Sequence, residues 1–168
     1  MIGLTSDGTI TFTGAVTESS CKIKINGAGS GDGSVTLPVV DITALGQSAA
    51  KNSAGGTFFS ISLSACAGSQ AQIAIYFEAG PNVDAVTGGL MNTAAGSNVE
   101  VNIYNASDAT LIGTQVKPGT NTSQPEAQTM ADAGTQWFYA GYSTAANGGL
   151  ATTPGAVSTS ITYSLVYQ

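Results

Sequence analysis

Apolar and polar residues alternate with a period of two along most of this chain. The pattern is clearest in residues 59–64, where Phe59, Ile61 and Leu63 are separated by serines, and in residues 157–167 near the carboxyl end. Successive side chains of a β-strand point to opposite faces of the sheet, so this alternation is typical of strands with one buried face. No sustained helical period competes with it. The sequence therefore predicts an all-β fold built from half-buried antiparallel strands.

Turn-forming dipeptides separate the alternating segments. Asn26-Gly27, Pro118-Gly119 and Asn147-Gly148 are pairs of this kind, because asparagine and glycine tolerate the backbone angles of tight turns and proline presets one of them. The predicted strands lie within residues 9–17, 22–25, 34–39, 59–64, 72–77, 99–104, 137–142 and 157–167. Strands at this spacing, with at most one short helical turn within residues 41–52, predict a single β-sandwich domain.

Charged residues are too scarce for several classes of function. They make up 8% of the 168 residues, and the net charge of −6 includes four lysines and no arginine. A surface without clustered cations cannot neutralise phosphates, so nucleic-acid binding is excluded.

No apolar run approaches the ~20 residues of a membrane-spanning helix, so no membrane insertion is expected. Residues 1–8 are too short and too polar for a signal peptide, so if the protein is secreted we expect this sequence to be its mature form.

Catalytic chemistry also lacks its usual residues. The chain contains no histidine, which excludes Ser-His-Asp triads, Cys-His pairs and imidazole metal sites. The ten acidic residues occur singly, and solvated surface charge is the role expected for them. No glycine motif predicts a phosphate cradle. We therefore expect neither enzymatic activity nor a metal or cofactor.

Trp137 and Tyr139 would suit a platform on which a sugar ring could stack. They lie in an aromatic run that ends at Tyr142. Aromatic residues are enriched in strands, so a strand in the core is the favoured interpretation of this run.

The chain contains two cysteines, Cys21 and Cys66. Without histidine or a CxxC spacing they make a poor metal site, and a disulfide is favoured over two buried free thiols. Closing a loop of about 46 residues would stabilise the fold by roughly 4 kcal/mol from chain entropy alone. A disulfide also indicates an oxidising compartment, such as the periplasm or the cell exterior.

The two ends of the chain carry strand-like runs. Residues 8–16 precede Cys21, and residues 160–168 reach the carboxyl end. A sandwich with such ends either pairs the two runs with each other or leaves a sheet edge open to another chain. The simpler alternative is that residues 9–17 form an ordinary first strand of their own domain.

These segments, in this order, resemble the subunits of chaperone–usher fimbriae of the type 1 and type 3 kind. The resemblance lies in GTITFTGAV (residues 8–16) before Cys21, in FSISLSAC (residues 59–66) and in the ending ITYSLVYQ (residues 161–168). The segments 21–39 and 138–142 are similar to the major subunits of type 3 fimbriae in particular.

The resemblance implies an incomplete immunoglobulin-like β-sandwich that lacks its last strand. A neighbour's N-terminal donor strand would complete it in trans. Residues 1–20 would form the donor-strand extension and residues 21–168 the pilin domain. The implied partners are identical pilin subunits in the fibre, and a periplasmic chaperone and an outer-membrane usher during assembly. The protein would be exported through the periplasm to a fimbria on the bacterial surface, where it would serve adhesion and biofilm formation.

The resemblance also assigns roles to individual residues. The donor strand would comprise Gly8, Ile10, Phe12, Gly14 and Val16. Its apolar side chains would enter pockets of the acceptor groove, and Gly14 would lie where the groove is too shallow for a side chain. A turn or bulge glycine is the alternative for Gly14. The acceptor groove would be lined by Ile161, Tyr163 and Leu165.

A tip adhesin or carbohydrate-binding module is the alternative function. Tip adhesins of this family carry a lectin domain ahead of the pilin domain, and 168 residues leave no room for one. A structural fibre subunit is therefore the predicted function.

Overall fold

The computed structural model describes Thr11, Thr13 and residues 20–28, 30–45, 55–67, 72–120 and 133–167. Within these ranges the strands are β1 (Ser20–Ile25), β2 (Gly56–Ala67), β3 (Ile73–Phe77), β4 (Leu90–Met91), β5 (Glu100–Ala106), β6 (Ile112–Val116), β7 (Ala133–Ser143) and β8 (Tyr163–Tyr167). Single-turn 3-10 helices at Ile42–Ala44 and Ala145–Asn147 lie in the connections. The described ranges hold no helix with the length and hydropathy that a membrane crossing requires. The all-β prediction is confirmed.

The strands form two antiparallel sheets around one apolar core. In the larger sheet the order is β1-β2-β7-β5-β4, and β6 also pairs with β5. The smaller sheet consists of β3 and β8. Phe138 of β7 joins the two sheets, because its ring stacks on Phe59 of β2 at 5.3 Å and meets the edge of Phe77 of β3 at 5.1 Å. The core therefore lies between the inward faces of both sheets.

β5 differs from the half-buried strand that the sequence predicts. Its core-facing side chains are buried as expected, but Glu100, Asn102 and Tyr104 on the other face are buried too, with at most 5% of their surface exposed. The loop between β3 and β4 contacts this second face at Thr87, which donates a hydrogen bond to Glu100, and Tyr104 packs against the ring of Tyr139 of β7 at 6.2 Å. A strand covered on both faces carries polar residues that alternate but do not face solvent. The prediction was therefore wrong for this face of β5.

A disulfide joins Cys21 of β1 to Cys66 of β2, as predicted. The register of the two strands shifts by one residue between Ser20 and Lys22, so β2 contributes one extra residue there. This β-bulge places Ala65 at a φ of 48°, in the left-handed region. The conformation costs a residue with a Cβ about 1–2 kcal/mol.

Replacing Ala65 with glycine is expected to stabilise the subunit by about 0.5–1 kcal/mol. Glycine avoids the Cβ clash, and the greater freedom of the unfolded chain offsets only part of that gain. Equilibrium unfolding in urea measures the difference. Ala74→Gly in β3 is the matched control, because Ala74 has an ordinary φ and should lose about 0.5–1 kcal/mol. An Ala65→Gly variant that is no more stable than the wild type would contradict the bulge geometry.

Candidate functional site

A groove of about 960 Å³ opens onto the core between the two sheets. Its floor includes Phe59, Ile61, Phe77 and Ile103, which also belong to the core cluster. Two segments form its sides. We call residues 31–37 the first wall and residues 157–165, which run into β8, the second wall.

The second wall alternates from Val157 to Tyr163, after which Ser164 is half-buried as well. Its odd-numbered side chains are half-buried, whereas Ser158, Ser160 and Thr162 are exposed. Four donors outside the groove reach even-numbered carbonyls: Ser97 N to Ala156 O (3.3 Å), Thr93 N to Ser158 O (2.8 Å), Asn82 Nδ2 to Ser160 O (3.2 Å) and Glu78 N to Thr162 O (2.9 Å). Main-chain groups of alternate residues in a strand point to opposite edges. The N–H and C=O groups of residues 157, 159 and 161 therefore point toward the groove, and within the described ranges they make no main-chain hydrogen bond.

The first wall alternates over a shorter distance. Val35 and Leu37 are half-buried, whereas Thr36 is exposed. In the predicted strand 34–39 the alternation would turn Val39 inward with Val35 and Leu37. That expectation is wrong, because the side chain of Val39 is fully exposed just before the 3-10 helix that Asp41 caps. Residues 32–40 form no hydrogen bond between their main chain and the main chain of any other described residue. This predicted strand therefore has the side-chain pattern of a strand without a ladder.

Together the two walls present unpaired main-chain edges above an apolar floor. Thr159 adds a polar atom, since its buried Oγ1 has no hydrogen-bond partner among the described residues. An extended peptide could pair with such edges and place alternate side chains on the floor. The geometry thus suits a polypeptide strand.

The structure places the predicted site residues as follows. Ile161, Tyr163 and Leu165 line the groove. The predicted donor-strand residues lie outside the described residues; they are Gly8, Ile10, Phe12, Gly14 and Val16. The first wall was not predicted to be part of the groove. Its alternation was visible, but alternation reports which face of a strand is buried and not which edge is paired.

Away from the groove, Glu100 is buried where the sequence predicted a solvated charge. Its Oε2 accepts a hydrogen bond from Thr87 Oγ1 at 2.7 Å, and its Oε1 has no partner in the described ranges. Burial raises the pKa of Glu100 above its ordinary value of 4.5, the Thr87 hydrogen bond opposes this, and the negative charge of Asp84 adds to it. In the same ranges no three acidic or cysteine side chains come together to hold a metal ion.

Residues 37–168 match the family described as type-1 fimbrial protein, A (FimA). The chain belongs to this fimbrial protein family. It is 35% identical over 169 residues to the major fimbrial subunit SMF-1 of Stenotrophomonas maltophilia (strain K279a), covering 97% of this chain and 94% of the relative. It is 33% identical over 180 residues to the F17 fimbrial protein of Escherichia coli, covering 98% of this chain and 89% of the relative.

Solved structures share the fold. A subunit from the structure of a chaperone–usher pilus concerned with rod uncoiling aligns with a TM-score of 0.63 at 21% identity, covering 97% of this chain and 96% of that chain. The P pilus rod subunit PapA aligns with a TM-score of 0.61 at 21% identity, covering 88% of this chain and 99% of that chain. Family membership confirms the predicted function at this level. The fimbrial protein is a non-enzymatic structural subunit of a surface fibre built from many subunits.

The buried carboxyl of Glu100 should make the stability of the subunit depend on pH. Because folding raises its pKa, the folded state binds its proton more tightly than the unfolded chain, so stability falls as pH rises from 4.5 through the folded pKa. Glu100→Gln removes this titration and is expected to be more stable than the wild type at neutral pH, with the difference shrinking to a constant below pH 4.5. Urea unfolding across the pH range measures it.

Asp108→Asn is the control for that experiment. The side-chain and main-chain hydrogen bonds from Thr110 lower the pKa of Asp108 below 3.8, so its effect on stability changes only in more acidic solution. A Glu100→Gln difference that stays flat from about pH 4 to pH 8 would refute the raised pKa.

Proposed function

We propose that the groove accepts the N-terminal strand of another copy of this chain, and that this exchange links subunits into the fibre. The domain would then be an immunoglobulin-like sandwich that lacks its last strand and is completed in trans. Residues 1–20 would be the donor-strand extension and residues 21–168 the pilin domain. The supporting observation is the pair of walls, whose groove-facing main-chain edges have no main-chain partner in the described ranges. Strand addition to open edges is a general mode of recognition.

The chemistry of residues 8–16 suits this groove. Ile10, Phe12 and Val16 share one face of the run, and three threonines and Ala15 occupy the other. At ~3.3 Å per residue the run would extend about 30 Å, and it has the same number of residues as the second wall. Burying three apolar side chains would stabilise the contact by roughly 5–9 kcal/mol, and each ladder hydrogen bond would add about 0.5–1.5 kcal/mol. These terms do not simply add, but they fit a contact that opens very slowly.

An empty groove is a hazard before assembly. Open sheet edges over apolar surface promote pairing with unintended chains. A periplasmic chaperone that lends a strand to the groove would remove this hazard, and an outer-membrane usher would then exchange it for the next subunit. The finished fibre would serve adhesion and biofilm formation.

The donor role of Phe12 is tested by Phe12→Asp in the full chain. Its pocket would belong to a neighbour, so we expect the variant to fold, form its disulfide and accept a wild-type peptide of residues 1–20. It should nevertheless fail to donate its own strand, because a charge would enter an apolar groove. Gly14→Val should fail in the same assay through a steric clash. Binding of fluorescent peptides and electron microscopy of fibres provide the measurements.

Thr11→Asp is the matched control, since it adds the same charge at a residue that alternates with Phe12 in sequence and whose own side chain is exposed. It should donate nearly as well as the wild type. The donor role fails if Phe12→Asp unfolds the isolated subunit. It also fails if the wild-type peptide never displaces the chaperone from the groove of a chaperone-bound subunit. An ordinary first strand within the same domain would then be the better description.

The acceptor role of the second wall is tested by Leu165→Asp. A carboxylate at this groove-lining position should cost several kcal/mol unless it is relieved. We expect a lower periplasmic yield and less chaperone recovered with the subunit. Val166→Asp on the exposed side of β8 is the control and should behave like the wild type. Normal recovery of the chaperone complex with Leu165→Asp would count against the assignment.

A further inference from the structure

The two walls of the groove are held in different ways. The second wall is fixed from outside by main-chain and side-chain donors in the segment that joins β3 to β5; for example, the N–H and hydroxyl of Thr93 both donate to Ser158 O, at 2.8 and 2.9 Å. Asn92 Oδ1 accepts from Ser158 N at 2.9 Å. The first wall has no main-chain partner, because residues 32–40 make no main-chain to main-chain hydrogen bond with other described residues. Ser30 Oγ donates to Asp32 O at 2.7 Å, but this contact joins residues two apart in sequence and does not tie the wall to the rest of the domain. Something else has to hold the first wall in place.

Two tyrosine hydroxyls reach this part of the chain, one at the first residue of the first wall and the other at the residue that directly follows the wall. Tyr163 of β8 donates to the carbonyl of Gly31 at 2.6 Å, and Tyr142 of β7 donates to the carbonyl of Pro38 at 3.0 Å. The two carbonyls lie seven residues apart in sequence, which corresponds to roughly 23 Å of extended chain. One contact crosses the groove to the second wall, and the other reaches the larger sheet.

Both tyrosine hydroxyls are placed to act as hydrogen-bond donors. Tyr163 packs edge-on against Phe77, with the ring centroids 6.5 Å apart. The rings of Tyr142 and Tyr163 both pack against the apolar core. A tyrosine hydroxyl with its ordinary pKa of 10.0 already keeps its proton at physiological pH, and burial raises the pKa of Tyr142 and of Tyr163 further. Each ring is half-buried against the core, which restricts where its hydroxyl can lie, so the carbonyls of Gly31 and Pro38 are held at a defined distance from the core.

We propose that Tyr142 and Tyr163 are positioning residues that hold the first wall at the spacing an inserted strand needs, and thereby set how long that strand is retained. A wall that is already in place lets a strand form its second ladder without ordering residues 31–38 first. Without the two hydroxyls the wall would move outward more often and release the strand sooner. The inference rests on the proposed function, since retention has meaning only for a groove that takes a strand.

Tyr142→Phe and Tyr163→Phe test this in the full chain, because each removes one hydroxyl and keeps the ring. The subunit is loaded with a fluorescent peptide of residues 1–20 and chased with unlabelled peptide. Each variant is expected to release the label about two- to tenfold faster than the wild type, the factor that corresponds to one net hydrogen bond. The double variant should show about the product of the two factors, since the contacts are far apart. Tyr76→Phe is the control, because Tyr76 lies on the face of β3 opposite its buried residues.

Backbone NMR relaxation in the unloaded subunit supplies a readout that a general loss of stability would not give, because it reports the mobility of each amide whether or not that amide is hydrogen-bonded. The amides of residues 32–37 should be more mobile in both variants, with lower order parameters or larger relaxation dispersion, while those of residues 158–162 remain as in the wild type. Unchanged mobility at residues 32–37 together with release rates equal to those of Tyr76→Phe would overturn the proposal. An equal increase in mobility at both walls would also overturn it, as this indicates global destabilisation. If the peptide does not load even onto the wild type, the proposed function and the retention role fail, whereas the relaxation data still decide whether the hydroxyls hold the wall.

Discussion

Main-chain groups that point into the groove without a ladder partner are the constraint on which the rest of this structure depends. A strand normally satisfies its N–H and C=O groups on both edges, and a buried group left unpaired is costly. In the second wall the outer edge is satisfied by residues 78–97, so the inner edge can be satisfied only by water or by another strand. Side chains such as Val157 and Ile161 are half-buried along that edge. A strand inserted there would therefore complete both hydrogen bonding and apolar burial at once.

The floor of the groove couples strand insertion to the stability of the subunit. Phe59, Ile61 and Phe77 belong to the core and also line the groove, so the same side chains would contact an inserted strand. A ligand that binds only the folded state stabilises that state by mass action. In the proposed assembly each subunit would consequently be more stable inside the fibre than alone. The contact would resemble the completion of a core more than the docking of two finished surfaces.

The sequence could predict the faces of strands but not their edges or their second covering layer. Alternation in β2 correctly placed Phe59, Ile61 and Leu63 in the core, because a period of two reports one buried face directly. The burial of Glu100 depends on a loop that folds over β5 from a distance, and nothing near Glu100 in sequence signals it. The first wall shows the complementary failure, since its side chains alternate as in a paired strand although its described main chain has no ladder. The site's second wall was predicted through family resemblance, and its first wall emerged only from tertiary structure.

The parts of the protein that surround the groove are held by different kinds of interaction, a disulfide at β1 and β2 and hydrogen bonds at the two walls. The disulfide ties β1 to β2, and Ile23 and Ile25 of β1 line the groove above that junction. The first wall approaches β1 so closely at Gly33 that a Cβ there would lie 2.6 Å from the Cβ of Ile25, a distance only glycine permits. Among the described residues, β1 is thus joined to β2 by a covalent bond and the second wall is held by several hydrogen bonds, whereas the first wall is tied to the rest of the domain by two hydroxyl contacts and by close packing. Since opening follows the weakest support, strand entry and release should proceed at the first wall, while the floor and β8 keep their geometry.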